Sequence, residues 1–377
     1  MKVLVTGYKG FIGRNLVSHL QRQDDIRILG YDIDSTQDEL FTYLDEADFV
    51  YHLAGVNRPK RTEEFFEGNT DLTRLICNRL ARRPSPPPIL FSSSIQAELD
   101  NPYGRSKRLA EEVLVQYARE FGGISIIYRL TNVFGKWSRP NYNTVVATFC
   151  YNISHDLPII ISDPNKEIRL IHIDDVVKAF IAELRNLDST INTSADRVIW
   201  RKVSPEYPIT LGRLAEIIRS FRAMLDSLYT PDFSDPFIRK LYGMYLTYLD
   251  EDDLAYNLQK RCDDRGCLAE FMKSVHFGQI FVSRTKPGAI RGNHYHHSKA
   301  EKFLVLDGEA IIRFRPIFGD SEQVIEYRVT GDDFRVLDIP PGYTHSIENI
   351  GDRDVITLFW ADEVFDPENP DTYYEEV

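Results

Sequence analysis

The sequence predicts an α/β chain, with a doubly wound parallel sheet at its N-terminal end and a smaller all-β domain after it. Three observations carry that expectation. A β-branched run from Lys2 to Thr6 passes through Gly7-Tyr8-Lys9-Gly10-Phe11-Ile12-Gly13 into an amphipathic stretch, Asn15 to Leu20. Strand-like and helix-like segments then alternate, which implies parallel strands joined by right-handed crossovers. From about Asp250 the texture changes to short β runs broken by Gly, Pro and Asp. A length of 377 residues is too great for one small core, and the expected domains are 1–249 and 250–377.

The first element pair already carries chemistry. Glycines let a backbone turn tightly and approach a pyrophosphate, and a helix N-terminus presents unpaired N–H groups to it. Gly7, Tyr8, Lys9, Gly10, Phe11, Ile12 and Gly13 are therefore the expected dinucleotide-binding turn. A second strand, Ile26 to Tyr31, ends at Asp32, about twenty residues beyond the last glycine. An acid there takes the adenosine ribose hydroxyls and repels a 2′-phosphate, so Asp32 by itself favours NAD(H); Asp34 is close enough to compete for the role. The next strand, Ala47 to His52, runs out into Leu53-Ala54-Gly55, small residues past which a cofactor can lie close to the backbone.

Pro88 to Ser94 is the following strand, and its serine end precedes Tyr103 by a short loop. Positions i and i+4 share a helix face, so Tyr103 and Lys107 point together. A neighbouring cation favours the phenolate and makes the hydroxyl a better proton donor near neutral pH. Spacing alone decides nothing, because Tyr256/Lys260 and Tyr295/Lys299 repeat it. The serine-ended strand singles out the first copy: Ser94 and Tyr103 can both donate to one carbonyl oxygen as charge develops on it.

The glycine pattern, His52-Leu53-Ala54-Gly55, Asn69, Ser94, Tyr103/Lys107, Tyr128-Arg129-Leu130-Thr131-Asn132-Val133-Phe134-Gly135 and Ile171-His172-Ile173-Asp174-Asp175-Val176 together resemble an extended short-chain dehydrogenase/reductase of the Rossmann-like fold, acting on nucleotide sugars. The resemblance implies Tyr103 as general acid/base, Lys107 on the nicotinamide ribose, Ser94 orienting the carbonyl, Leu53, Ala54, Gly55 and Asn69 against the cofactor, and Asn132 facing the sugar nucleotide. The segment from Ser94 to Tyr103 is shorter than usual in that family. In Lys136-Trp137-Ser138-Arg139-Pro140-Asn141-Tyr142-Asn143, cations sit with aromatic and amide groups, as a diphosphate and sugar site needs. Lys136 and Arg139 are its candidates, and Arg169, off the family's usual register, is a third.

The second domain carries its own constellation in Gly288 to Gly308. His294 and His296 alternate along a strand and face one side; Glu301 rejoins them from the next strand, and His345 in Pro340-Pro341-Gly342-Tyr343-Thr344-His345 completes the set. Three imidazoles and a carboxylate suit a divalent cation, zinc first, with nickel, iron or manganese also compatible. The Gly, His-x-His, Glu, Gly spacing and the Pro340 to Asn349 segment resemble the two motifs of a cupin, a small antiparallel β-barrel. Arg291-Gly292-Asn293-His294 also resembles the Arg-Gly-x-His segment of metal-free deoxysugar epimerases, in which His294 would be the proton-abstracting base. Tyr343 is the candidate for proton transfer.

Composition bounds the partners. A net charge of −12 argues against nucleic acid or an anionic membrane, both of which need a basic face. No apolar run is long enough to span a bilayer, and the N-terminus lacks a signal-peptide layout, so the cytoplasm is expected. Cys77, Cys150, Cys262 and Cys267 lack metal spacing and are expected as free buried thiols. A homodimer is expected, since such barrels commonly pair through an edge. The domain order, with Asn101 to Lys107, Gly135-Lys136-Trp137 and Ala147 to Asn152, resembles the CapF type of bifunctional capsular polysaccharide enzyme over nearly the whole chain. That resemblance implies inversion at C3 of a UDP-linked 2-acetamido-2,6-dideoxy-hex-4-ulose, then reduction of its C4 ketone by NADPH. The product would be a UDP-N-acetyl-L-6-deoxytalose on the route to N-acetyl-L-fucosamine. A nucleotide-sugar 4-epimerase with tightly held NAD, a non-enzymatic redox sensor and a sugar-binding scaffold are the rival readings.

Overall fold

Val3, Leu4 and Val5 have no exposed surface, so β1 (Lys2–Thr6) has no solvent face and sits inside a parallel sheet. It pairs with β2 (Arg27–Tyr31) on one side and β3 (Phe49–His52) on the other, and β4 (Ile89–Ser94) and β5 (Ser125–Leu130) extend the sheet in parallel. Alternate residues feed two cores. Val3, Val5 and Tyr51 meet Leu16 and Leu20 of α1 (Phe11–Leu20) on one face. On the other, Leu4 and Val50 meet Leu40 and Leu44 of α2 (Gln37–Glu46), capped by a Thr36/Glu39 capping box. A short α3 (Glu63–Phe65) runs through a π-helical turn at Phe66–Asp71 into α4 (Leu72–Leu80), whose Ile76 and Leu80 join this second core.

The long helix α5 (Pro102–Phe121) carries Tyr103 and Lys107 in its first two turns. The Asn101 side chain accepts from the Gly104 N–H at 2.8 Å, Pro102 occupies the first turn, and Gly122 ends the helix at φ 73°. After β6 (Asn132–Phe134), α6 (Val145–Ser154) and β7 (Glu167–His172), α7 (Ile173–Arg185) places Val176, Val177 and Phe180 beside α1. β8 (Val198–Arg201) is the far edge of the six-stranded sheet, in the order β2-β1-β3-β4-β5-β8, and β9 (Tyr207–Thr210) completes a small sheet with β6 and β7. Helices α8 (Leu211–Ser227) and α9 (Pro236–Leu246) follow.

The computed structural model describes residues 1–187, 197–317 and 323–377. They divide into Met1–Ile218 with Arg239–Leu249, and Arg219–Ile238 with Asp250–Val377. A single cut at 249/250 therefore misses one segment. The backbone around Leu228–Thr230 bonds to Lys273, with Lys273 N donating to Leu228 O and Thr230 N to Lys273 O, both at 2.8 Å, and this recruits 219–238 to the second unit.

That unit is built from β10 (Lys260–Asp263), β11 (Gly266–Ser274), β12 (Gly278–Thr285), β13 (Ile290–Tyr295), β14 (Glu301–Asp307), β15 (Glu309–Pro316), β16 (Ile325–Thr330), β17 (Val336–Ile339), β18 (Tyr343–Asn349), β19 (Val355–Ala361) and β20 (Tyr373–Tyr374). They hydrogen-bond as two antiparallel sheets, β10-β11-β12-β19-β14-β17 and β16-β15-β18-β13-β20. Phe303, Val355 and Phe359 of the first sheet share a core with Ile312, Phe314 and Ile347 of the second. A ring closed by hydrogen bonds, the strict form of the expected barrel, is not formed among the described residues.

Cysteine chemistry also departs from expectation. Cys77 and Cys150 are buried and free, but Cys262 and Cys267 are disulfide-bonded. They are register partners across the β10–β11 hairpin, a proximity that only the turn between them reveals.

Gly13 has no room for a side chain: a Cβ would lie 2.1 Å from the Gly7 carbonyl oxygen. Gly13→Ala should lower the thermal midpoint by roughly 5–10 °C. Gly243→Ala, on α9 with nothing within 4 Å of the added atom, should leave it unchanged or raise it slightly; differential scanning calorimetry on both variants checks the contrast.

Candidate functional site

In a doubly wound sheet, ligands bind beyond the carboxyl ends of the strands where the chain order reverses. Here that place lies at the ends of β1 and β3. Gly7 takes φ 71°, its N–H donates to Tyr31 O at 2.8 Å, and a Cβ on it would come within 2.7 Å of Ala54 N. The glycine turn is thus pressed against Leu53-Ala54. Asp32 braces the turn: its carboxylate accepts from Lys9 N at 2.8 Å and Ile33 N at 2.9 Å. Asp34 pairs with the Lys9 ammonium, which pulls the Asp34 carboxyl down.

Four further residues converge beside this turn. The Asn69 amide, on the π-helical turn, binds Val56 O and Ser106 Oγ, both at 2.9 Å, and a Cβ on Gly55 would strike both Asn69 Oδ1 at 2.7 Å and Lys107 Nζ at 3.1 Å. Gly55 is small because two functional side chains pass it. Lys107 is only 4% exposed and donates to Ser92 O at 3.1 Å; burial pulls its ammonium down to about 8, with Glu111 opposing. Burial pushes the Tyr103 phenol up, and a hydrogen bond with the Ser94 side chain works against that rise. Burial dominates Tyr103, while the Lys107 ammonium is engaged by a backbone carbonyl. Ser94 also caps the 3-10 turn Ile95–Glu98 that leads toward α5.

The expected sugar-nucleotide residues are less uniform. Asn132 is exposed and donates to Arg169 O at 3.2 Å. Arg139 lies 5.0 Å from the Tyr142 ring centroid, and Arg58, a residue the sequence did not single out, lies 5.6 Å from the same ring. Lys136 and Arg169 do not join them, since Lys136 pairs with Asp174 at 2.7 Å and Arg169 with Glu206 at 3.5 Å. Two cations over one aromatic ring make the better anion and base platform.

The second unit gathers His294, His296, Glu301 and His345, whose ligand atoms all lie within 4.8 Å of one another. Glu301 Oε2 stands 3.4 Å from His296 Nε2 and 3.1 Å from His345 Nε2, yet these three buried atoms make no hydrogen bond. The opposite ring nitrogens are occupied, His296 Nδ1 by Asp371 O and His345 Nδ1 by Tyr343 O at 3.2 Å. An Nδ1–H donated to a carbonyl leaves Nε2 as a lone pair aimed inward, the arrangement of metal-ligating imidazoles. Burial pulls His294 down to about 4, so it is neutral. Orphaned lone pairs around one buried charge fit a divalent cation. Tyr343 lies two residues from His345 on β18, hence on the same face, with its ring edge-on to Phe314. Asp371, which no motif flagged, accepts from the backbone N–H groups of His297, Ser298 and Lys299 and shapes the turn after His296.

Known proteins resemble the chain over its whole length. The NAD dependent epimerase/dehydratase family model matches residues 3–194, and the polysaccharide biosynthesis C-terminal domain model matches 261–373. The UDP-2-acetamido-2,6-beta-L-arabino-hexul-4-ose reductase of Pseudomonas aeruginosa is 44% identical over 99% of this chain and 98% of its own. Over the whole length of both chains, the crystal structure of the capsular polysaccharide assembling protein CapF from Staphylococcus aureus superposes with a TM-score of 0.90 at 43% identity. A structure of CapF with the inhibitor 3-isopropenyl-tropolone also covers the whole of both chains, with a TM-score of 0.86 at 40% identity. The chain therefore belongs to the NAD dependent epimerase/dehydratase family, and over its full length to the CapF type within it.

Proposed function

We propose that the chain is a bifunctional nucleotide-sugar enzyme. In this reading the second unit, a cupin, inverts C3 of a UDP-2-acetamido-2,6-dideoxy-hex-4-ulose, and the first unit reduces the C4 ketone with NADPH. The product is a UDP-N-acetyl-L-6-deoxytalose, used for capsular or O-antigen polysaccharide. The observation that supports it most is the meeting of Ser94 and Tyr103 beside the buried Lys107 and the glycine turn. The name of the 44% identical relative, a UDP-hexulose reductase, supports the substrate class. Asp32 has one oxygen on the Lys9 N–H of the glycine turn and the other on the Ile33 N–H, which supports a bracing role compatible with NADPH; turnover with NADPH against NADH checks it. A cytoplasmic homodimer completes the proposal, and light scattering checks the dimer.

When bound, the nicotinamide supplies a hydride and a divalent cation supplies Lewis-acid polarisation of a carbonyl. The residues do the rest. Ser94 and Tyr103 donate to the C4 oxygen; the Tyr103 phenol, kept protonated by burial, gives up its proton as that oxygen becomes an alkoxide and is recharged from solvent. Arg58, Arg139 and Tyr142 hold the nucleotide, with Asn132 toward the sugar. In the second unit His294, His296, Glu301 and His345 would hold the cation, and Tyr343 moves the proton at C3. Tropolones are bidentate oxygen chelators, and the 40% identical CapF has one as an inhibitor, which is consistent with a cation in such enzymes.

Tyr103→Phe should cut NADPH oxidation by about 10³-fold or more and leave deuterium uptake at C3 from heavy water unchanged by NMR. With a pre-epimerised ketosugar as substrate, Glu301→Gln, or dialysis against a chelator, should do the reverse and drop the metal content measured by mass spectrometry below stoichiometry. If both activities vanished in both variants, a single composite site would be indicated instead. Because the Lys107 ammonium deprotonates near 8, while Tyr103 is held above its ordinary value, kcat/KM for reduction should fall above pH ~8 with unit slope. A flat profile to pH 9.5 would mean that charge is not used.

A further inference from the structure

Behind Ser94 lies a polar cluster that the proposed reduction does not use directly. Ser93 and Arg129 are register partners on β4 and β5. Ser93 Oγ donates to Glu111 Oε1 at 2.6 Å, and the Arg129 guanidinium forks onto the same carboxylate, Nε to Oε1 at 2.9 Å and Nη2 to Oε2 at 2.7 Å. Glu111 is 3% exposed, and it sits on α5 one helical turn beyond Lys107 and two beyond Tyr103. The third arm of Arg129, Nη1, reaches Glu98 Oε1 at 2.8 Å, at the end of the 3-10 turn that Ser94 caps. The guanidinium face packs 4.7 Å from the Trp200 ring centroid.

One side chain thus ties the helix carrying the phenol to the turn carrying the serine. The turn also rests on the helix directly: Arg108 Nη1 donates to Ala97 O at 3.2 Å, and Gly104 lets it lie close, since a Cβ there would fall 2.1 Å from Gln96 O. Close packing permits the approach of turn and helix but does not fix the angle at which Ser94 leaves β4. A planar three-armed donor restrains it, because its fork sets the guanidinium at Glu111 and the third arm then reaches Glu98. Resting on the reductase reading of this site, we propose that Arg129 is a positioning residue, holding Ser94 against Tyr103 so that both hydroxyls reach the same carbonyl oxygen. Lysine could neutralise Glu111 but could not span both carboxylates as a fork.

The test is a double-mutant cycle on the full-length chain, with the UDP-4-ketosugar and NADPH as substrates. Arg129→Met should lower kcat for reduction by about 10- to 100-fold, the cost of a misplacement near 1 Å, with KM for the sugar within about threefold. In a Ser94→Ala background the same change should cost less than about twofold, because Arg129 acts through Ser94. Arg129→Lys should recover less than half of the loss. Should Arg129→Met fail to fold, Glu98→Gln serves: its carboxylate is 70% exposed, and it should cost about three- to tenfold in the native background and nothing beside Ser94→Ala. Equal factors in both backgrounds, or a loss in KM alone, would overturn the proposal. Absence of NADPH oxidation by the unsubstituted chain would instead overturn the reductase reading itself.

Discussion

A single ammonium organises the first unit's site: Lys107, desolvated and pinned to the Ser92 carbonyl. A lysine with 4% exposure must find partners or lose its proton, since burial disfavours the charged form. The partners it finds define the crevice. Ser92 O at 3.1 Å draws α5 onto the end of β4, Gly55 stays bare so that the ammonium and Asn69 can pass, and Phe91 offers its ring face 4.7 Å away. Glu111, one turn along the helix, raises what burial lowers. Ser94, Tyr103 and the glycine turn are placed around this contact, so their geometry follows from what a buried cation requires.

The second unit solves the opposite problem with a buried anion. Glu301 is 8% exposed and lies between two imidazoles whose outer nitrogens are already bonded to backbone carbonyls. Those bonds fix where the lone pairs point, and they point at the carboxylate. Lone pairs aimed at a negative charge repel it unless a proton or a cation stands between them. A positive charge between them would relieve that repulsion, whereas the first unit's site is arranged around a positive charge of its own. Asp371, far along the chain, takes part because its oxygens stitch the turn after His296 into a fixed shape.

Much of this was legible because local periodicity encodes it. Lys2 to Gly13 announces a strand and a tight turn; the i,i+4 spacing announces the helix face that Tyr103 and Lys107 share; His294 and His296 share a strand face by the period of two. What escaped was set at long range. No spacing shows that Lys136 meets Asp174, that Arg58 and Arg139 share the Tyr142 ring, or that Arg129 joins Glu98 to Glu111. The Cys262–Cys267 bond needed the hairpin register, and the transfer of 219–238 to the second unit needed backbone bonds to Lys273. Charges whose partners lie tens of residues away look identical in sequence to solvated ones.

On the proposed reading, chemistry itself orders the two sites. A hydrogen on C3 is acidic only while C4 is a ketone, because the carbonyl delocalises the electron pair that the departing proton leaves behind. Once a hydride reaches C4 and the Tyr103 proton reaches its oxygen, that delocalisation is gone and C3 is fixed. Inversion must therefore precede reduction for every molecule, and a reductase too quick for its partner would freeze the wrong stereochemistry. Discrimination at C3 then falls to the reducing site, through whether the inverted ring alone sets its C4 oxygen between Ser94 and Tyr103. A two-donor cradle is sensitive to such a change, since an oxygen displaced by about an ångström loses one donor and with it roughly 2.7–4 kcal/mol of transition-state stabilisation. The rigidity of the Ser94 turn is in that sense also the basis of selection between the two sugars.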